Sequence, residues 1–110
     1  MTWYAVSLLF KSSHTQPQDV EDALWEESIV LINAVTEREA REIAVKRAHD
    51  SEHSYTTQGN DSVSWTFQQV ERVFEIDADI LVSGTEVFSR FLRDSEVHSL
   101  LTPFDSCDAN

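Results

Sequence analysis

Glycine and proline are nearly missing from this chain: Gly59, Gly84, Pro17 and Pro103 are the only ones in 110 residues. Fibrous and hinge-rich architectures need far more of both. A phosphate-cradling loop needs several glycines close together, so dinucleotide-binding and P-loop enzymes are excluded. The single cysteine, Cys107, has no intrachain partner for a disulfide and lacks the second thiolate of a zinc site or redox pair, which suits a reducing cytoplasm. Basic residues are scarce as well. Eight Lys and Arg face 20 Asp and Glu, for a formal net charge of −12. Such a chain repels nucleic-acid phosphates and anionic membrane surfaces and attracts cationic ligands or basic proteins, although an acidic surface also serves solubility alone.

Apolar material, by contrast, is sufficient for a core. Hydrophobic residues make up 41% of the chain and aromatics 10%, which is consistent with one domain over residues 1–101 and a disordered acidic tail over 102–110. The apolar stretch Trp3 to Phe10 has no basic residues before it and no small-residue cleavage site after it, and it is far shorter than a membrane span. It reads as a strand. Tyr4, Val6, Leu8 and Phe10 fall on one side of the pleat and Trp3, Ala5, Ser7 and Leu9 on the other, so both faces are largely apolar and the strand belongs inside a sheet. Ser12 to Ala23 reads as a surface loop, and Trp25 to Ile32 as a second strand with a charged start and an apolar end.

The clearest helix begins after Thr36. Thr36 and Glu39 have the spacing of a capping box, in which hydroxyl and carboxylate each satisfy an otherwise unpaired backbone N–H. Ala40, Ile43, Ala44 and Ala48 then line one face, while Glu37 with Arg41 and Glu42 with Lys46 are placed to pair on the other. From Glu37 to Asp50 the acids and bases balance, which leaves the negative charge to the loops and the sheet. Two further strands are expected at Glu52 to Thr57 and Val63 to Ile76, joined by a turn at 58–62. Val63, Trp65 and Phe67 share one parity, and Val70, Phe74 and Ile76 the other, which calls for a bulge near Gln68 and Gln69. Thr85 to Leu92 fits a helical stripe or a strand, and the strand is preferred; Asp94 to Leu101 adds a short helix. The expected fold is therefore α+β, an antiparallel sheet of about five strands in the order ββαβββ on one main helix.

The words WYAVSLLFKS from Trp3, LWEESIVLI from Leu24, TEREAREIA from Thr36 and GTEVFSRFL from Gly84, in this order, resemble a bacterial family known as domain of unknown function 4288. The resemblance implies a small α+β protein and carries over no reaction, cofactor or catalytic residue.

Candidate chemistry is sparse. His49-Asp50-Ser51-Glu52-His53 matches the H-x-x-E-H pattern of one class of zinc peptidases, where two histidines four apart on a helix grip one metal ion. Here the motif straddles the expected end of the helix, so His49 and His53 are weak ligand candidates that should diverge. Asp77 and Asp79 imitate the start of a calcium loop, but Leu81, Val82 and Phe88 stand where its further ligands and glycine belong. The serines and histidines have no elbow or triad context, so no catalytic residue and no cofactor are expected. Trp3, Trp25 and Trp65 fall one to each of three strands, where large aromatics serve the core more often than a ligand cage.

Glu26 and Glu27, adjacent on a strand, point to opposite faces and cannot act together on one substrate. Glu27 either reaches water at the sheet edge, the preferred placement, or meets a base such as Arg90 or Arg72, and Glu86 with Arg90 would complete a small cluster. The leading expectation is a non-enzymatic protein-binding module of the inhibitor, immunity or accessory type, taking a basic partner through Asp19, Glu21, Asp22, Trp25, Glu26 and Glu27, with Glu86 and Arg90 nearby. The rival is an enzyme or small-ligand binder with a polar pocket between helix and sheet, built from Glu27, Glu86, Arg90 and His53. A sheet covered by one helix leaves its second face bare, and a two-fold copy of the chain, a homodimer, is the expected cover.

Overall fold

The computed structural model describes residues 1–17 and 22–102. Its elements are β1 (Thr2–His14), β2 (Trp25–Ala34), α1 (Glu37–Asp50), β3 (His53–Thr56), β4 (Ser62–Ile76) and α2 (Asp94–Leu101). The fold is α+β, with one antiparallel sheet in the order β2-β1-β4-β3. β1 lies inside the sheet, as its two apolar faces require. It also runs on to His14, so the first three residues of the expected loop are strand.

The core forms where α1 crosses the sheet. Ala40, Ala44 and Ala48 are buried against Tyr4, Val6, Leu8, Phe10, Ile32 and Ala34, and the small helix side chains let the helix axis approach the strands closely. Thr36 caps the helix: its hydroxyl oxygen accepts from the Glu39 amide at 3.1 Å, which is the hydroxyl half of the expected box. The expected pairs Glu37–Arg41 and Glu42–Lys46 do not form. Arg38 instead lies 3.7 Å from Glu42, a highly exposed contact worth little.

The sheet differs from expectation in two places. β4 carries two register shifts against β1 rather than one: Ser7 faces Arg72 and Leu8 faces Val70, leaving Glu71 extra, while Leu9 faces Gln69 and Phe10 faces Phe67, leaving Gln68 extra. The bulge at Gln68 lies in the expected region. The second one keeps Val70 on the helix side with Phe67 and sends Phe74 and Ile76 to the opposite side, so Val70 does not share their face.

The fifth strand is also absent, because 85–92 adopts no regular structure. Gly84, at φ +92°, turns the chain, and the turn is closed by Thr85 N–H donating to Val82 O at 3.0 Å and Val82 N–H to Thr85 Oγ1 at 2.9 Å. Beyond it the aromatic signal is spent on packing: the Phe88 ring rests 5.8 Å from that of Phe74 on the sheet face away from α1. That face is therefore partly covered by the chain itself. The short helix forms as expected, with Arg93 N–H donating to Glu96 Oε1 at 2.8 Å at its start. The tail expected to be disordered, 102–110, lies outside the described residues from Pro103 on.

Candidate functional site

The candidate acids gather at the start of β2, and the strand pleat divides them. Glu26 pairs across from Phe10 and Glu27 across from Leu9, which puts Glu26 on the α1 side and Glu27 on the opposite side. Asp22, Trp25, Glu26 and Glu27 are all exposed, whereas Asp19 and Glu21 lie outside the described residues. Trp25 stands beside its cross-strand neighbour Lys11, whose ammonium sits 5.6 Å from the ring centroid.

Glu27 has both fates that its position allowed. Its side chain is 35% exposed, yet Oε2 accepts a 2.6 Å hydrogen bond from the hydroxyl of fully buried Ser7 and lies 4.0 Å from the Arg90 guanidinium. The cluster expected of Glu27, Glu86 and Arg90 is instead one of Ser7, Glu27 and Arg90. Glu86 is exposed and makes no ion pair among the described residues. Ser7 was the missing member, and its small polar side chain in an apolar strand was the signal for it.

On the α1 side the end of the helix, β2 and β4 enclose an open cleft of about 350 Å³. Its floor is apolar, formed by Leu8, Phe10, Val30 and Ala48, and its rim carries Glu26, Arg47, His53 and Trp65. A helix-to-sheet cleft with an apolar floor and a polar rim therefore exists, but it takes only His53 from the expected set. Glu27 and Arg90 lie on the other face of the sheet and cannot reach it.

The two histidines of the H-x-x-E-H match separate. His49 lies in the last turn of α1, packs edge-on against Phe67 at 5.2 Å and has its Nδ1 3.5 Å from Glu52 Oε1. His53 opens β3, stacks on Tyr55, and lies with Nδ1 3.1 Å from the Ser51 carbonyl. Glu52 is turned to structural work, its Oε2 accepting from the Phe67 amide at 2.8 Å. Among the described residues no three His, Cys, Asp or Glu side chains are grouped to hold a metal ion.

The most complete polar cluster was not anticipated. Asp61 accepts from Thr15 N–H at 3.1 Å, Thr15 Oγ1 at 3.2 Å and Gln16 N–H at 3.0 Å, and its Oδ2 lies 2.7 Å from His14 Nδ1. The hydrogen bond from His14, then that from the Gln16 amide, hold its carboxyl below the ordinary aspartate value. The partners are more than forty positions apart, so no local pattern announces them.

The profile of domain of unknown function 4288 (DUF4288) matches residues 3–89. The chain belongs to this family. The match runs from the second residue of β1 to one residue short of Arg90, so it takes in nearly the whole sheet, α1 and most of the segment that crosses the second face. No curated protein and no solved structure matches the chain significantly. Membership in DUF4288 fixes kinship and supplies no activity. Among the described residues no helix is long and apolar enough to cross a membrane.

Proposed function

We propose that this chain is a non-enzymatic cytoplasmic protein-binding module of bacteria that self-associates and takes a basic protein partner, as an inhibitor, immunity or accessory factor does. One observation carries the reading: β2 is a ten-residue edge strand, and no backbone hydrogen bond among the described residues reaches its outer side. A partner strand can add there through main-chain bonds, while Asp22, Trp25, Glu26 and Glu27 at its start give that strand a negative and aromatic contact. The net charge of −12 supports fast, salt-dependent association with a cationic surface.

The test is affinity purification followed by kinetics. The recovered partner is expected to be basic, and its association rate to fall both with added salt and in a Glu26→Gln/Glu27→Gln variant. Binding that is indifferent to salt, or the absence of any partner, would overturn the reading. The cleft rimmed by Glu26, Arg47, His53 and Trp65 favours a second reading, a small-ligand binder. Saturable binding of a small molecule that Arg47→Ala abolishes would give that reading precedence.

A further inference from the structure

The segment that follows β4 is seated on the sheet for only half its length. Phe88 packs on Phe74 and Arg90 reaches Glu27, both on the face away from α1. From Phe91 to Thr102 every residue is exposed. Phe91 is fully exposed, and α2 buries none of its residues and packs against no other element.

This arm carries an apolar stripe. Val97, Leu100 and Leu101 recur at i, i+3 and i+4 of α2, with Phe91 and Leu92 just before it, and all five are exposed. Eight residues are too few for a helix to stand alone in water, where about 12 to 15 are marginal. The same chain covers Ala5, Ser7 and Ile76 on its second sheet face but leaves the β2 side of that face open. Ile29 and Leu31 are 47% and 45% exposed there, next to half-buried Trp3 and Leu9.

We propose that the distal arm, Phe91 to Leu101, docks onto the Ile29 and Leu31 face of a second copy of this chain, and receives that copy's arm in return. Charge permits this occupant: two chains of −12 repel over most of their surfaces, but the open patch of Trp3, Leu9, Ile29 and Leu31 is uncharged, and Glu27 on the same face already meets Arg90. The new contact continues the one that Phe88 and Arg90 make, on the same face. The exchange is two-fold, so it closes at a dimer and leaves neither arm free.

The inference concerns the face of the sheet rather than the β2 edge, and it depends only on the self-association part of the proposed function. A monomer that still binds a basic partner would overturn it alone. The experiment combines mass and cross-linking on the full chain in a Cys107→Ser background. Light scattering at micromolar concentration should give twice the chain mass, and Leu100→Asp/Leu101→Asp should halve it with unchanged far-UV circular dichroism of the sheet, because neither leucine is buried in its own chain. Mixing a Leu31→Cys chain with a tagged Leu100→Cys chain should give a disulfide between the two. A wild-type monomer, a dimer untouched by the aspartates, or a disulfide that forms only within one chain of a Leu31→Cys/Leu100→Cys variant would each overturn the proposal.

Discussion

Asp61 ties the end of β1 to the turn before β4, and it does so as a carboxylate that accepts from His14, Thr15 and Gln16. Its folded-state value lies below its unfolded value of about 3.9, so the stability it contributes is fully present above that value and is lost as the pH falls through the lower folded one. Thermal unfolding followed from pH 5 down to about pH 2 should therefore show a steeper fall for the natural chain than for Asp61→Asn. Equal slopes would mean that the carboxylate does nothing for the fold. Ser7 makes a second residue-scale case. Ser7→Ala deletes the donor to Glu27 but leaves that carboxylate with water and Arg90, for a cost of about 1 kcal/mol in urea unfolding. Ser7→Leu must instead force extra volume into a site with no exposure, at about 1–3 kcal/mol. Neither role is visible in the sequence as a motif, because both partners are brought together by strand register rather than by spacing.

At the scale of elements, the local signals were legible wherever the chain talks to itself. The Thr36 cap and the alanine stripe place α1, and alternation places β1 and β2, because each of these depends on residues within a few positions. Thr36→Ala should cost about 1 kcal/mol. Ala44→Leu should cost about 1–3 kcal/mol, since the helix sits too close to the sheet for a longer side chain; both are read from the urea midpoint. The legible part ends where a choice depends on distant partners. Thr85 to Leu92 has the aromatic content of a strand, but a strand needs a free ladder, and after the turn at Gly84 the segment lies across the sheet face rather than beside an edge. The second bulge, at Glu71, was hidden for the same reason. Val70 fits either parity by itself, and only its opposite number Leu8 settles which one it takes.

For the molecule as a whole, charge was the plainest thing in the sequence, and its distribution the least. Acids and bases balance on α1, as the residue order shows, but the acids at the start of β2 do not form one surface, since Glu26 rims the helix-side cleft and Glu27 faces the other way. A chain at −12 with few compensating ion pairs among the described residues destabilises itself by repulsion. Raising ionic strength from about 10 mM to about 150 mM shortens the screening length from roughly 30 Å to 8 Å, so the melting temperature should rise; a fall would mean that attractive pairs dominate.

The two borders of the sheet are unequal: ten residues at β2 and only four at β3. Fibre growth by strand addition needs an adhesive margin at both ends of every subunit, so that each newcomer exposes a fresh one. Here the far margin is broken, because β3 stops beside Trp65 and the rest of β4 carries the two bulges, which twist an edge away from pairing; whatever joins at the long side finds no equal straight site beyond it, which makes strand pairing a terminating event instead of a propagating one.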